Sequence, residues 1–124
     1  MSFQAMLREI VENCSGGIGA VLMGSDGIPI EQVSASRGAE SPLAEDLSTA
    51  GTEFSRILEE IRKAADAIAA GAVLETTIVL SRVTLVFRGV DDETFLVVAL
   101  APDGNLGKAR YLIRKQLLAL RQEL

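Results

Sequence analysis

The first apolar residues of the chain recur with the period of an amphipathic helix. They follow the i, i+3, i+4, i+7, i+8 pattern of a helix that packs one face on a core, and they are Phe3, Met6, Leu7, Ile10 and Val11. Glycines end this pattern, and the run 18–23 that follows is apolar on both faces. Such a run is typical of a strand that is covered from both sides. The N-terminal part therefore predicts a helix followed by a central strand.

A tight turn separates this strand from the next one. Asp26 and Gly27 favour the positive φ angles that short hairpins require. The strand after the turn, 28–33, contains Pro29, which cannot donate a backbone hydrogen bond to a neighbouring strand. We therefore expect this strand at an edge of the sheet, followed by a polar loop over 35–41.

A long helix is predicted in the middle of the chain. Ser41 is a favourable N-cap and Pro42 suits the first helical position, while Gly71 is a suitable C-terminal cap. At 1.5 Å per residue, about 28 residues give a helix of roughly 42 Å, whereas an eight-residue strand spans roughly 27 Å. Part of the helix therefore needs a surface beyond its own sheet.

Three further strands and a last helix complete the pattern. The strands are predicted at 73–80, 83–90 and 94–101, and the last of them is apolar throughout 95–101 and therefore central. Asn105 caps a final helix with one apolar stripe. The order α-β-β-α-β-β-β-α predicts one α/β (α+β) sandwich domain over 1–124, with helices on the faces of the sheet and without the parallel βαβ units of nucleotide-binding folds.

Composition and charge limit the partners that the chain can have. The hydrophobic fraction of 48% and the mean hydropathy of +0.30 indicate more apolar surface than one small core can cover, which favours an oligomer. The net charge of −5 argues against nucleic acid and anionic lipid as partners. The longest apolar run, 95–101, is far shorter than the roughly 20 residues of a membrane span. The N-terminus does not resemble a secretion signal, so we expect a cytoplasmic protein.

The residue types required for most catalytic sites are missing. The chain has no histidine and one cysteine, which excludes a serine–histidine triad, an imidazole base and an ordinary zinc site. The two glycine-rich nucleotide-binding motifs, GxxxxGK[ST] and GxGxxG, do not occur in the sequence. We interpret Cys14 as a buried small residue, the acidic run 91–93 as a solvated turn, and Glu59 as the partner of Lys63 on an exposed helix face. We therefore expect no catalytic, cofactor-binding or metal-binding residue and no enzyme.

The long helix and the strand after it predict a dimer interface. A second line of small side chains on the helix would let a neighbouring helix approach closely, although simple solvent exposure is the alternative. The strand 73–80 is β-branched on both faces and is not protected against pairing with a copy of itself. We expect a homodimer, and a heterodimer with a related chain stays open. The predicted interface residues are Leu47, Ser48, Gly51, Thr52, Phe54, Ser55, Leu58, Val73, Thr76, Thr77 and Ile78.

Three local sequence features follow one another along the chain. A Gly-Ala-Val-Leu strand segment leads into an Asp-Gly-Ile-Pro-Ile turn, the long helix follows, and an asparagine-x-glycine-x-x-arginine pattern opens the last helix. In this combination the chain resembles the roadblock/dynein light chain family, in its bacterial MglB-like branch, over essentially all 124 residues. The resemblance implies structural roles for Gly19, Asp26, Gly27, Asn105, Gly107 and Arg110, and we expect Arg110 to hold the loop 103–105.

The resemblance also implies a fold and a function. The fold would be a roadblock or profilin-like five-stranded antiparallel sheet between one long helix and the two terminal helices, with a dimer formed through the long helix and the next strand. The function would be that of a non-enzymatic platform that binds and regulates a small Ras-like GTPase, as MglB-type GTPase activators of cell polarity and gliding motility do. The alternatives are a dynein-associated light chain and a small-molecule sensory module of the profilin or PAS kind, which would need a cavity.

Two surfaces are candidates for contact with such a GTPase. Arg37, in the polar loop, is the arginine best placed to reach a γ-phosphate as a finger. The resemblance favours a different route, in which the paired helices dock on the switch segments and an acidic helix face suits a basic patch of the partner. The candidate contact residues are Arg37, Glu45, Glu53, Arg56, Glu59, Glu60 and Lys63.

Overall fold

The computed structural model describes residues 2–35 and 47–124. In these two segments the elements follow in the predicted order α-β-β-α-β-β-β-α. They are α1 (Phe3–Glu12), β1 (Gly17–Gly24), β2 (Pro29–Ser34), α2 (Leu47–Ala67), β3 (Glu75–Val79), β4 (Thr84–Asp91), β5 (Thr94–Leu100) and α3 (Leu106–Glu123). The predicted polar loop over 35–41 and the predicted helix start at Ser41 and Pro42 fall almost wholly on residues 36–46, outside the described residues.

The five strands form one antiparallel sheet in the order β2-β1-β5-β4-β3. The strand that contains Pro29 lies at one edge of the sheet, as predicted. Proline has no backbone N–H, so it cannot donate a hydrogen bond to a neighbouring strand. The apolar strands β1 and β5 lie at the centre of the sheet, which confirms the prediction from their composition. The other edge is β3, the strand that follows α2.

The helices cover both faces of the sheet. Side chains along a strand point alternately to opposite faces, so Leu22 and Leu96 pack with α1 and α3, while Val21 and Val97 pack on the side of α2. All four side chains are fully buried. The sandwich of one long helix, a five-stranded antiparallel sheet and two terminal helices is therefore confirmed.

The C-terminal end of α2 differs from the prediction. Gly71 has a positive φ of 90° but does not cap the helix, because the left-handed residue that ends it is Ala69, with φ 53°. The amide of Ala69 donates to the carbonyl of Asp66 (3.0 Å), and the amide of Ala70 donates to that of Ala65 (2.9 Å). This pair of bonds is a Schellman cap, whose left-handed position is usually a glycine. The prediction that Gly71 ends the helix is wrong by two residues.

We expect Ala69→Gly to raise the free energy of unfolding by about 0.5–1 kcal/mol. An L-residue in the left-handed region is strained by about 1–2 kcal/mol, and glycine removes that strain. Urea denaturation would measure the change. The matched control is Ala64→Gly inside α2, which should lower stability by about 0.5–1 kcal/mol because glycine weakens a helix. Equal effects of the two substitutions would contradict the assigned cap.

Candidate protein-interaction site

One flank of α2 carries apolar side chains that are partly exposed in the described part of the chain. Phe54 is half-buried against the ring of Phe87, with ring centroids 5.7 Å apart, and it is followed at helical spacing by Ile57 and Ile61. Ile57 is 51% exposed and Ile61 is 36% exposed. We call Phe54, Ile57 and Ile61 the apolar flank of α2. A groove of about 370 Å³ runs along it, between Phe54 and Glu60.

Three predicted interface residues lie inside the chain instead. Leu47 and Leu58 are buried between α2 and the sheet. Gly51 is also buried, and a Cβ atom placed there would overlap Sδ of Met23 on β1. The absent side chain therefore lets α2 lie directly on its own sheet. The assignment of Leu47, Gly51 and Leu58 to a surface between two chains is wrong, because buried side chains have no accessible area left to lose.

Hydrogen bonds within the chain involve the other small residues predicted at the dimer interface, which are Ser48, Thr52 and Ser55. The hydroxyl of Thr52 lies within hydrogen-bond distance of the carbonyls of Ser48 (3.1 Å) and Gly27 (3.3 Å). The hydroxyl of Ser55 donates to the carbonyl of Thr52 (2.7 Å). By helical spacing these residues lie on the side of the buried stripe opposite to the apolar flank. A role for Ser48, Thr52 and Ser55 in a dimer stays a prediction.

The edge strand β3 pairs with β4 in the described part of the chain, and a cleft lined by Leu58, Arg62 and Thr76 lies between β3 and α2. Thr76 and Ile78 stand opposite Phe87 and Leu85 and point to the side of α2, while Thr77 points to the side of α3. All three are half-buried. Their outer backbone groups face away from the sheet, so this edge can accept another strand.

The two sheet edges are protected to different degrees. The β2 edge carries Pro29 and pairs with β1 through a register shift. The β3–β4 ladder has no such irregularity, and β3 contains neither proline nor lysine. Leu74 and Val79 at its two ends are largely exposed. Val73, which the sequence assigned to this strand, is half-buried and lies just before it. Among the described strands, β3 is therefore the edge that favours pairing.

The charged side chains of α2 form ion pairs within the helix. Each candidate acid lies three residues before a base, at 3.7, 2.7 and 3.3 Å: Glu53 with Arg56, Glu59 with Arg62, and Glu60 with Lys63. The interpretation of Glu59 and Lys63 as partners is therefore wrong. Positive and negative charges balance over these six positions, so the described part of this face is not acidic. Arg37 and Glu45 lie outside the described residues.

The turn and cap residues have local structural contacts. Oδ1 of Asp26 accepts a hydrogen bond from the amide of Ile28 (3.1 Å), and Gly27 has φ 87°. Oδ1 of Asn105 accepts from the amide of Lys108 (3.0 Å) and so caps α3. A Cβ at position 19 would lie 2.9 Å from a backbone oxygen of β2, whereas at position 107 it would meet only an ordinary contact at 3.6 Å. Within the described residues, packing therefore requires a glycine at 19 and not at 107.

Arg110 does not hold the loop 103–105, which corrects that expectation. Its Nε lies 3.0 Å from Oε2 of Glu75, an ion pair without hydrogen-bond geometry, and its Nη2 lies 3.3 Å from the hydroxyl of Thr77. The side chain thus joins α3 to the edge strand β3. The loop is held by backbone instead, because the amide of Asn105 donates to the carbonyl of Ser15 (2.9 Å).

Comparison with solved structures identifies the family. A Roadblock/LC7 domain from Streptomyces avermitilis superposes with a TM-score of 0.82 at 15% identity, covering 99% of this chain and 98% of that one. The gliding protein MglB from Thermus thermophilus gives 0.81 at 18% identity, covering 96% and 85%. MglC from Myxococcus xanthus is 35% identical over 100% of both chains, with a TM-score of 0.71. The chain belongs to the roadblock family. No family model and no curated protein sequence matches it.

Other kinds of site find little support in the described part of this roadblock chain. Residues 2–35 and 47–124 contain no group of three or more His, Cys, Asp or Glu that could hold a metal ion. In the same residues, no helix is both long enough and apolar enough to cross a bilayer. Of the clefts that α2 and β4 line together, one beside Thr76 has a volume of about 30 Å³ and one beside Asp92 about 260 Å³, both below the roughly 300–1,000 Å³ of small-molecule sites. Burial raises the pKa of the Cys14 thiol, as expected for a buried small residue.

We expect Arg110→Ala to lower the free energy of unfolding of this roadblock chain by about 1 kcal/mol. The ion pair with Glu75 is partly exposed, which limits its contribution, but α3 loses its side-chain tie to β3. Thermal denaturation would measure the loss, and Arg114→Ala on the exposed side of α3 is the control. Unchanged stability together with lost partner binding would instead place Arg110 in an interface.

Proposed function

We propose that this roadblock protein forms a dimer through α2 and β3, and that the dimer is a cytoplasmic, non-catalytic platform that binds and regulates a small Ras-like GTPase. One observation carries the dimer: the apolar flank of α2 lies beside an unprotected sheet edge. Phe54 contacts Phe87 on β4, the neighbour of the edge strand, and Leu58 of α2 and Thr76 of β3 line the same cleft. One partner chain can therefore cover both surfaces.

The distribution of exposed apolar side chains supports this arrangement. Six of the eleven large hydrophobic residues that are exposed in the described chain lie between positions 57 and 80: Ile57, Ile61, Ile68, Leu74, Val79 and Leu80. Such a concentration is typical of an interaction surface. Two β3 edges that meet about a two-fold axis would form one continuous sheet, with two α2 helices side by side. A related roadblock chain could use the same surface, which would give a heterodimer.

The GTPase proposal rests on the family. The likeness to MglC, and the fold shared with the gliding protein MglB, support a place among bacterial GTPase regulators. The dimer would dock on the switch segments of the GTPase and hold the GTPase's own catalytic groups in place, without an arginine finger. Because α2 carries four acidic against three basic residues, and six of these seven form ion pairs within the helix, binding should depend only weakly on salt.

The binding test compares the two nucleotide states of a Ras-like GTPase from the same organism. We expect affinity for the GTP-analogue form to exceed that for the GDP form by about tenfold or more, because regulation requires different affinity for the two states. Isothermal titration would measure both values. Equal affinities would contradict regulation.

Single-turnover GTP hydrolysis tests the mechanism. We expect Arg37→Ala to reduce the rate by less than about tenfold, because docking does not need a finger, whereas a finger contributes about 10³–10⁵ in rate. Arg82→Ala, on the β3–β4 turn, is the control. A thousandfold loss with intact binding would replace the docking mechanism by an arginine finger.

A further inference from the structure

The last helix has the opposite charge to the rest of the protein. Helix α3 carries five of the 12 Lys and Arg residues and one of the 17 Asp and Glu residues. The remaining chain carries seven basic against sixteen acidic residues. Because α3 packs on the sheet face opposite α2, its outer side stays exposed in the dimer proposed above. The inference that follows does not depend on GTPase binding.

The outer side of α3 has an apolar centre. Tyr111 and Leu118 are 50% and 65% exposed. They are seven residues apart, which places them on one line about 10 Å apart along the helix. The buried stripe of α3, which includes Ala109, Ile113 and Leu120, lies on the other side of the helix. Tyr111 and Leu118 therefore lie outside the buried core, and the exposure of their apolar surface to water is unfavourable.

Basic side chains border this centre on both sides. By helical spacing Lys108 and Lys115 lie on one side of the line and Arg114 and Arg121 on the other. We call these four residues, with Tyr111 and Leu118, the outer face of α3.

Only some of the charged groups of the outer face interact with other groups of the described chain. Nζ of Lys108 lies 5.4 Å from the ring centroid of Tyr111, Nζ of Lys115 lies 3.8 Å from Glu9, and Nε of Arg121 donates to a backbone carbonyl of β4 (2.6 Å). In the described part of the chain, Arg114 forms no hydrogen bond or ion pair. Donors thus remain free for carboxylates of another molecule.

We propose that the outer face of α3 docks an acidic amphipathic helix of a partner protein. Apolar side chains of that helix pack on Tyr111 and Leu118, and its Glu or Asp residues on both flanks pair with the four basic side chains. Helices in coiled coils recognise each other by this pattern of an apolar seam with charged flanks. A membrane fits less well, because the face offers two apolar side chains and the whole protein carries −5, which an anionic surface repels.

A designed peptide tests the proposal on the full chain. The probe is a fluorescein-labelled helix of about 21 residues, three heptads with Leu in the seam and Glu at the flanking positions. The control peptide has Lys at the flanking positions. Fluorescence anisotropy should show saturable micromolar binding of the Glu peptide and none of the Lys peptide, and binding should weaken at least about fivefold between roughly 50 and 500 mM salt.

Variants of the chain locate the binding surface. Leu118→Glu and Arg114→Glu should each weaken peptide binding by at least about tenfold, because each adds a negative charge opposite the acidic peptide. Ile28→Glu adds the same charge at an exposed apolar residue on the other side of the protein, after the β1–β2 turn, and should leave binding unchanged. Circular dichroism would verify that all variants are folded.

Three results would overturn the proposal. The first is no saturable binding of the Glu peptide, and the second is an equal loss in the Ile28→Glu control. The third is sedimentation with phosphatidylserine vesicles that Leu118→Glu abolishes, without peptide binding, which would assign the face to a lipid surface instead.

Discussion

Gly16→Ala is expected to lower the free energy of unfolding by about 2–4 kcal/mol, out of a total of about 5–15 kcal/mol for a domain of this kind. Gly16 has φ 82°, where an L-residue is strained, and a Cβ there would lie 2.5 Å from Cα of Gly104. The backbone cannot move away easily, because the carbonyl of Gly16 accepts from the amide of Ala101 (2.8 Å) and the carbonyl of Ser15 accepts from that of Asn105 (2.9 Å).

Gly107→Ala is the matched control for this prediction. It makes the same chemical change in the first turn of α3, where the added Cβ would meet only Oδ1 of Asn105 at 3.6 Å. We expect it to raise stability by about 0.5–1 kcal/mol, since alanine favours a helix over glycine. Urea denaturation of the two variants should therefore give shifts of opposite sign. Shifts of the same sign would show that the contact between the two loops is not close.

The features that the sequence predicted correctly depend on local pattern. A proline can sit only where a strand leaves its amide unpaired, so Pro29 was sufficient to place β2 at an edge. An apolar run without alternation indicates burial on both faces, so 94–101 was sufficient to place β5 at the centre. Both arguments use residues within one element, and both were confirmed.

The errors concern contacts between distant parts of the chain. Helical spacing groups Leu47, Gly51 and Leu58 on one face, but only the position of Met23 on β1 shows that this face lies on the chain's own sheet. In the same way, the long side chain of Arg110 reaches Glu75, which the sequence separates from it by 35 positions, instead of the nearby loop. Spacing predicts which residues share a surface, and the partner of that surface depends on tertiary packing.

The basic outer face of α3 was overlooked although its signal is present in the sequence. The net positive charge of the last helix indicates this surface. Tyr111 and Leu118, which lie outside the apolar stripe of that helix, indicate it as well.

Ile57→Arg should convert the proposed dimer into folded monomers. Ile57 is 51% exposed at the centre of the apolar flank of α2, so the single chain can hold an arginine there in water. In the dimer the same charge would have to be desolvated at the contact, where Glu53 and Glu60 already pair with Arg56 and Lys63, at a cost of several kcal/mol. Each 1.4 kcal/mol changes the dissociation constant tenfold, so we expect an increase of about a hundredfold or more.

Light scattering at micromolar concentration, combined with thermal denaturation, separates this effect from unfolding. Ile28→Arg places the same side chain at an exposed residue after the β1–β2 turn and should leave the dimer intact. Gly51→Arg should instead destabilise the fold of the single chain, because the new side chain would collide with Met23, which is fully buried on β1. A parent chain that is monomeric would rule out the proposed dimer, and an Ile57→Arg chain that stays dimeric would place the dimer contact away from the apolar flank of α2.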